Sequence, residues 1–220
     1  MLPWIALDTA PIPGGGSLRL KQRGAEFSIM LGDNELMNSR LSGSEEALAT
    51  LSAEKLAGRA APRVLIGGLG MGFTLRAALA ALPPQARIDV AELVPAVIAW
   101  ARGPLASVFA GSLDEPRVKI LQGDVAEKIR AGRYDAILLD VDNGPDGLTA
   151  RDNDGLYQAQ GLAAARAALT PGGVLAVWSA GPDENFTRRL RKAGFAVEEK
   201  SVRAGRSRGK RHTIWLALRP

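Results

Sequence analysis

The sequence contains no cysteine and a single histidine, and these two features remove several classes of chemistry. Without cysteine the chain has no disulfides, no thiolate nucleophile and no zinc–thiolate site. With His212 alone, a metal site built on several histidines is also excluded, and we assign no metal ligands. The chain lacks a run of roughly 20 apolar residues, which a membrane-spanning helix requires. Residues 1–16 lack the basic start and apolar core of a signal peptide, so we expect a soluble, cytoplasmic protein.

Positive charge is concentrated near the end of the chain, although the formal net charge over 220 residues is only +5. Residues 188–220 carry 11 Lys or Arg against 2 Glu, whereas the rest carries 17 Lys or Arg against 21 Asp or Glu. The segment 203–212 could contact the phosphates of a nucleic acid through Arg206, Arg208, Lys210 and Arg211. We favour the alternative of a solvated hairpin loop or a lid over an acidic ligand group.

The most informative motif is a glycine-rich turn between a predicted strand and a predicted helix. Val64–Ile66 is a short apolar run, and 73–82 has the pattern of a helix. Gly68, Gly70 and Gly72 lie between them, where the backbone can turn tightly and approach a ligand without Cβ clashes. The free N–H groups at a helix start favour a polar or anionic group. The motif therefore predicts a ligand at the carboxyl end of this strand.

An acidic residue follows on the next predicted strand, 87–92. Glu92 ends that strand and can accept hydrogen bonds from both ribose hydroxyls of a nucleoside, and we assign Leu93 beside it to the same site. The glycine spacing is G-x-G-x-G, which differs from the G-x-G-x-x-G of dinucleotide sites, and no P-loop motif occurs. These residues together predict a site for a nucleoside cofactor.

Strands and helices alternate from residue 63 onward, which predicts a parallel sheet covered by helices on both faces. The predicted strands are 63–67, 87–92, 117–121, 134–140 and 173–178. The predicted helices are 73–82, 94–102, 124–131, 155–169 and 183–193. Strands 196–202 and 213–218 follow without room for a helix between them, so the sheet should end in an antiparallel hairpin.

The first part of the chain has a different pattern. Short β-type runs at 17–22, 26–31 and 35–38 are separated by turns and predict a small β-meander within 1–41. Ser42 followed by Glu45 has the spacing of a capping box at the start of a helix that runs to about residue 57. We therefore divide the chain into an N-terminal β region, 1–41, and a catalytic domain, 42–220.

Two further polar groups follow predicted strands, at the edge where open parallel sheets bind ligands. Gly123, Asp124 and Val125 follow the third strand, and the Asp124 carboxylate could accept a hydrogen bond from an adenine amino group or cap the next helix. Asp140, Asp142 and Asn143 follow the fourth. A carboxylate there could orient or deprotonate an attacking amine, and crowded carboxylates raise each other's pKa. The alternatives for this polar segment are turn chemistry and a divalent metal, since Asp and Asn oxygens suit Mg²⁺.

These segments resemble the spermidine/spermine synthase family, within the class I S-adenosylmethionine-dependent methyltransferase superfamily. The resemblance rests on the strand 134–140 ending in Asp, on Leu156 and Tyr157, on the strand motif 169–175, and on the helix that carries Glu45. It implies a Rossmann-like α/β fold, a mostly parallel seven-stranded sheet with a small N-terminal β-meander. It also implies S-adenosylmethionine or its decarboxylated form as cofactor and a small amine, possibly a polyamine, as acceptor, with Glu45 and Tyr157 near the acceptor. Tyr157 has an alternative role in packing its helix on the sheet.

The sequence departs from the family pattern at three places. The family glycine loop G-G-G-D-G-G carries a carboxylate, whereas 67–72 here has none. The last Asp of the family's D-S-S-D loop corresponds to Asn143, although Asp142 is adjacent. The Tyr-Gln or Tyr-His pair before the helix glutamate is replaced by Gly43 and Ser44.

Three functions remain open from the sequence. The first is alkyl transfer, aminopropyl or methyl, to a small amine. The second is methyl transfer to RNA or another small molecule, and the third is non-catalytic binding of a nucleoside or nucleic acid. The oligomeric state is open between a monomer and a homodimer.

Overall fold

The computed structural model describes residues 2–13, 15–141, 154–205 and 209–220. An antiparallel sheet comes first, with its strands in the order β1 (Ile5–Pro11), β2 (Ser17–Arg23), β3 (Glu26–Leu31) and β4 (Asn34–Asn38). Sequence patterns predicted only the last three. Strand β1 lies at the sheet edge with nearly all its side chains exposed, so it lacks the apolar alternation that marks a half-buried strand.

The central sheet has seven strands, all of which the sequence predicted. They are β5 (Arg63–Gly67), β6 (Arg87–Glu92), β7 (Val118–Gln122), β8 (Tyr134–Leu139), β9 (Leu169–Ser179), β10 (Ala196–Arg203) and β11 (Arg211–Leu218). Their spatial order is β10-β11-β9-β8-β5-β6-β7. Strands β5 to β9 pair in parallel, whereas β11 is antiparallel to both β9 and β10. The predicted fold class, a Rossmann-like sheet ending in an antiparallel hairpin, is confirmed.

Helices cover both faces of this sheet. They are α1 (Gly43–Lys55), α2 (Phe73–Ala81), α3 (Pro95–Arg102), α4 (Ala106–Phe109), α5 (Val125–Ala131), α6 (Asp154–Tyr157), α7 (Ala159–Ala168) and α8 (Glu184–Lys192). The short α4 and a 3-10 turn, Ser112–Asp114, were not predicted. In the described part of the chain, no helix is long and apolar enough to cross a membrane.

Two apolar clusters form the core, one on each face of the central sheet. Side chains along a strand point alternately to the two faces of the sheet. In β5, Ile66 therefore belongs to one cluster and its neighbour Leu65 to the other. The Ile66 cluster also contains Leu20 and Ile29 of the N-terminal sheet and Leu48 of α1. The N-terminal sheet is therefore packed directly on one face of the domain.

The helix predicted over 155–169 is broken into α6 and α7. Gln158 lies between them with an extended backbone, φ −86° and ψ 170°, which ends the first helix. The break brings the carbonyls of Gly155 and Leu156 against Gly161, where an added Cβ would lie 2.1 Å and 2.5 Å from their oxygens. An isolated glycine in an otherwise helical pattern is a weak signal for a break, so the sequence did not predict it.

The predicted capping box at the start of α1 is not formed. Ser42 is the N-cap residue, but its hydroxyl donates to the Glu46 carboxylate at 2.7 Å rather than bonding a backbone N–H. The Glu45 carboxylate instead accepts from the hydroxyl of Ser44 at 2.7 Å. Glu45 lines a cavity instead of completing the capping box.

The close contact at Gly161 leads to a stability prediction. We expect Gly161→Ala to lower the free energy of unfolding by about 1–3 kcal/mol, because its Cβ would overlap backbone oxygens. Gly181→Ala is the control, since among the described residues nothing lies within 4 Å of its added Cβ, and we expect a change within about 0.5 kcal/mol. Urea unfolding of both variants measures the difference, and equal stabilities would contradict the packing described.

Candidate active site

Strand β5 lies between β6 and β8, and the chain runs from β5 through β6 to β7 on one side before it returns to β8 on the other. Open parallel sheets bind ligands at such a switch point, beyond the carboxyl ends of the strands. A cavity of about 150 Å³ lies there. It is lined by the predicted cofactor residues Gly68, Gly70, Glu92, Leu93, Gly123, Asp124, Val125 and Asp140. Gly72, the remaining predicted cofactor residue, lines a neighbouring cavity instead.

The N-terminal sheet covers this larger cavity with apolar side chains. They come from the segment after β1 and from β2, β3 and β4, and are Ile12, Leu18, Leu31, Leu36 and Met37. An apolar wall opposite the polar ends of the strands suits a ligand with a flat apolar ring and polar edges.

The glycine loop is held between the end of β8 and an aromatic ring. Gly68 adopts φ +90°, and a Cβ there would lie 2.4 Å from the Asp140 carbonyl oxygen. Gly72 adopts φ +75°, and its Cβ would lie 2.4 Å from the ring of Phe109. Both positions need the left-handed backbone region and the space that only glycine leaves. The N–H of Asp140 also donates to the Gly67 carbonyl at 3.0 Å.

Glu92 is held in place by backbone N–H groups of the glycine loop and of the residue that precedes α3. One carboxylate oxygen accepts from the N–H of Leu69 at 3.0 Å, and the other accepts from the N–H of Val94 at 2.8 Å. Burial raises the pKa of the Glu92 carboxyl, and these backbone hydrogen bonds lower it. The backbone N–H groups of Leu93 and Gly70 also lower its pKa, so the carboxylate is fixed by backbone groups beside the cavity that it lines.

Asp124 has the helix-capping role that the sequence analysis considered as an alternative. Its carboxylate accepts from the N–H of Ala126 at 2.8 Å at the start of α5. It also lines the larger cavity, so its capping bond fixes the carboxylate beside the ligand space.

A second cavity, of about 90 Å³, adjoins the first. Leu36, Met37, Gly70 and Asp140 line both. The second cavity is also lined by Glu45 from α1 and Trp178 from β9. Asp140 is therefore in contact with both spaces, at the place where a group could pass from one ligand to another.

Asp140 has the electrostatic environment of a proton acceptor. Desolvation, and to a smaller extent the charge of Glu45, raise the pKa of its carboxyl to about 7 against the opposing effect of a hydrogen bond from Thr74. The Thr74 hydroxyl donates to the Asp140 carboxylate at 2.6 Å. Glu45 also has a raised pKa, mainly because it is desolvated. A carboxylate with a pKa near neutrality is suited to general base catalysis.

The other predicted residues either lie outside the described part of the chain or do not line these two cavities. Asp142, Asn143, Arg206 and Arg208 lie outside the described residues. Lys210 and Arg211 are exposed at the start of β11. Tyr157 is buried, with its ring edge-to-face on Phe186 at 5.7 Å and its hydroxyl donating to the Val141 carbonyl at 3.5 Å. This position fits the packing role that we considered for Tyr157.

Three residues of the site were not recognised from the sequence. Trp178 is half-buried on β9 and lines the second cavity. Met37 contributes to both cavities from β4 and has no motif around it. Thr74 lies in the first turn of α2, directly after the glycine loop, and that proximity is the one signal that could have identified it.

Comparison with known proteins gives a consistent result for sequence and fold. No family model matches the chain. A polyamine aminopropyltransferase of Mycobacterium tuberculosis is 34% identical over 145 residues, which are 61% of this chain and 27% of that protein. Spermidine synthase from Thermotoga maritima superposes with a TM-score of 0.77 at 20% identity, covering 98% of this chain and 73% of the other.

The chain is similar in sequence to polyamine aminopropyltransferases and has a spermidine synthase-like fold. A structure of spermidine synthase in complex with the transition state analogue AdoDATO matches with a TM-score of 0.76, at 20% identity, over 98% of this chain and 72% of the other. The chain spans 27% of the length of the mycobacterial relative.

The contact between the glycine loop and Asp140 leads to a prediction about ligand binding. Gly68 and Gly58 have nearly the same φ, +90° and +88°, but among the described residues an added Cβ meets nothing at Gly58. We expect Gly58→Ala to cost about 1–2 kcal/mol of stability from backbone strain alone. Gly68→Ala should cost more and should abolish binding of adenosyl compounds, because it displaces the end of β8.

Urea unfolding and calorimetry with methylthioadenosine measure these two effects. Gly58→Ala should bind methylthioadenosine as the wild type does. If Gly68→Ala binds it equally well, the glycine loop is not part of the ligand site.

Proposed function

We propose that the chain is an aminopropyltransferase that takes decarboxylated S-adenosylmethionine in the larger cavity and an amine acceptor in the smaller one. The observation that carries this proposal is the position of Asp140, which lines both cavities. The similarity to polyamine aminopropyltransferases supports the same reaction class.

The charges around the cavities favour the decarboxylated donor. Among the described lining residues, neither cavity has a Lys or Arg, whereas Glu45, Glu92, Asp124 and Asp140 are acidic. The carboxylate of S-adenosylmethionine would face other carboxylates, and the described lining residues include no Lys or Arg to pair with it. A donor with a bare ammonium gains attraction from the same carboxylates, and these differences are large where water is excluded.

The acceptor end of the site is suited to an amine. Glu45 and Asp140 line the smaller cavity together. An ammonium group held by one of them leaves the other near the nucleophilic nitrogen. A diamine or polyamine has both groups that this arrangement needs, one amine for anchoring and one for reaction.

The reaction follows from these positions. The acceptor nitrogen attacks the aminopropyl carbon bonded to the sulfonium, so that a C–N bond forms as the C–S bond breaks. The sulfonium becomes the neutral thioether of methylthioadenosine. The proton lost from the attacking nitrogen goes to the Asp140 carboxylate, which Thr74 orients through its hydrogen bond. The apolar cover from the N-terminal sheet keeps water from the sulfonium.

One observation favours a second function, methyl transfer from S-adenosylmethionine. The loop 67–72 lacks the carboxylate that spermidine synthases carry there, and Leu69 and Met71 in this loop are both buried. In this alternative the donor would keep its carboxylate, and an amine in the smaller cavity would receive a methyl group.

Donor preference distinguishes the two functions. We expect decarboxylated S-adenosylmethionine to bind at least about tenfold more tightly than S-adenosylmethionine, equivalent to about 1.4 kcal/mol. Calorimetry with both compounds measures this, and methylthioadenosine, which lacks the aminopropyl ammonium, is the matched control. Tighter binding of S-adenosylmethionine would support methyl transfer. No binding of any of the three compounds would overturn both enzymatic functions.

The role of Asp140 predicts a pH dependence. Its pKa is raised to about 7, so the carboxylate is protonated at lower pH and cannot accept the amine proton. The rate of aminopropyl transfer should therefore fall as the pH falls through about 7. Asp140→Asn should lower kcat by about 10²–10⁴-fold.

Thr74→Val tests the same assignment more selectively. Removing the hydroxyl removes the hydrogen bond that lowers the pKa of Asp140, so the acid limb of the kcat profile should move to higher pH. Thr50→Val is the control, because Thr50 bonds only carbonyls of its own helix and lines neither of these two cavities. An unchanged limb in Thr74→Val would show that another group sets it.

A further inference from the structure

The only histidine of the chain is connected to the smaller cavity through a buried serine. The Nδ1 atom of His212 lies 2.9 Å from the Ser44 hydroxyl oxygen. That hydroxyl donates to the Glu45 carboxylate at 2.7 Å. Ser44 is completely buried, so water does not compete for these bonds. A continuous hydrogen-bonded path therefore links strand β11 to a cavity-lining carboxylate.

The direction of the two bonds fixes the protonation of the histidine ring. An ionised carboxylate can only accept, so the Ser44 proton must point to Glu45 when Glu45 holds a cation. The serine oxygen then accepts from His212, which requires a proton on Nδ1. With the proton on Nε2 alone, Nδ1 and Glu45 would compete for the single serine proton.

A second contact joins His212 to the same cavity. Its ring packs edge-to-face on Trp178, with the ring centroids 4.8 Å apart and the planes at 73°. Trp178 lines the smaller cavity together with Glu45. His212 therefore contacts Trp178 directly and Glu45 through Ser44, and it does not line the cavity itself.

The start of α1 is shaped to allow this arrangement. The N–H of Gly43 donates to the Ala204 carbonyl at 2.8 Å, beside strand β10. A Cβ at Gly43 would lie 3.0 Å from the Arg203 carbonyl oxygen. The small residues Gly43 and Ser44 therefore let the helix terminus approach the β10–β11 hairpin closely enough for Ser44 to reach His212.

We propose that His212 is a positioning residue that, through Ser44, fixes the Glu45 carboxylate in the orientation that binds the acceptor amine. The role of Glu45 toward the amine rests on the proposed function, whereas the His212–Ser44–Glu45 connection does not. His212 touches no reacting atom in this scheme. Its loss should weaken acceptor binding much more than it slows the transfer step.

Nitrogen NMR tests the connection without any turnover. Because the chain has one histidine, its ring nitrogens give unambiguous ¹⁵N signals. We expect the neutral ring in the folded protein to be the Nδ1–H tautomer, and we expect Ser44→Ala to shift the population toward Nε2–H. An Nε2–H tautomer in the wild type, or signals unchanged by Ser44→Ala, would overturn the proposal even if the enzyme is active.

Steady-state kinetics tests the consequence for the acceptor. His212→Ala should raise KM for the amine about tenfold or more, with kcat changed less than threefold. His212→Asn should restore most of the lost affinity, because the Asn side-chain N–H can occupy the place of Nδ1–H, whereas His212→Gln should not. Arg211→Ala is the control, since Arg211 is exposed on the same strand and should leave KM unchanged.

The outcomes separate this proposal from the proposed function. A protein with the expected tautomer but no aminopropyl transfer refutes the function and keeps the connection. If activity is present and Asn, Gln and Ala at position 212 all raise KM equally, His212 has only a packing role. Thermal unfolding of each variant shows whether a change in KM reflects a loss of folded protein.

Discussion

The contact between the glycine loop and the first residue after β8 is the constraint on which the site depends. Two neighbouring parallel strands, β5 and β8, end side by side, and the backbone of Gly68 passes against the Asp140 carbonyl. No side chain could occupy that space, so the two chain segments meet through backbone atoms alone. The Asp140 carboxylate is consequently directed to the boundary between two cavities instead of being buried between strands.

The remaining parts of the site can be understood from this boundary. On one side, Glu92 and Asp124 end or follow the next strands and present carboxylates that backbone N–H groups already orient. On the other, Glu45 reaches the boundary from a helix and lies close enough to raise the pKa of Asp140. The N-terminal sheet covers the larger cavity with aliphatic side chains and Met37. Orientation therefore comes from the polar strand ends, and exclusion of water comes from the added sheet.

The sequence predicted the central sheet well because its signals are local. Each parallel strand is a short apolar run bounded by turn residues, and each helix between them has its own pattern. The glycine loop, Glu92 and Asp124 could be identified for the same reason, since topology alone brings the carboxyl ends of neighbouring strands together. Strand β1 was missed because its exposed edge position leaves no apolar alternation.

What the sequence could not predict depends on contacts between distant segments. The pairing of Asp140 with Glu45 and Thr74 requires the packing of α1 and α2 against the end of β8. Ser42 and Glu45 have the spacing of a capping box, but that spacing carries no information about which way the helix faces. In the sequence, Trp178 belongs to an apolar strand and nothing marks it as a site residue. Only the position of β9 beside α1 brings it to the cavity.

The hydrogen bond between Ser44 and His212 joins residues 168 positions apart. The two halves of the site therefore become complete at different stages of synthesis on the ribosome. The residues of the larger cavity, from Ile12 to Val141, emerge well before strand β11, whereas the wall that supports Glu45 needs that last strand in place. A nascent chain therefore exposes all the residues that line the larger cavity before His212 becomes available to Ser44.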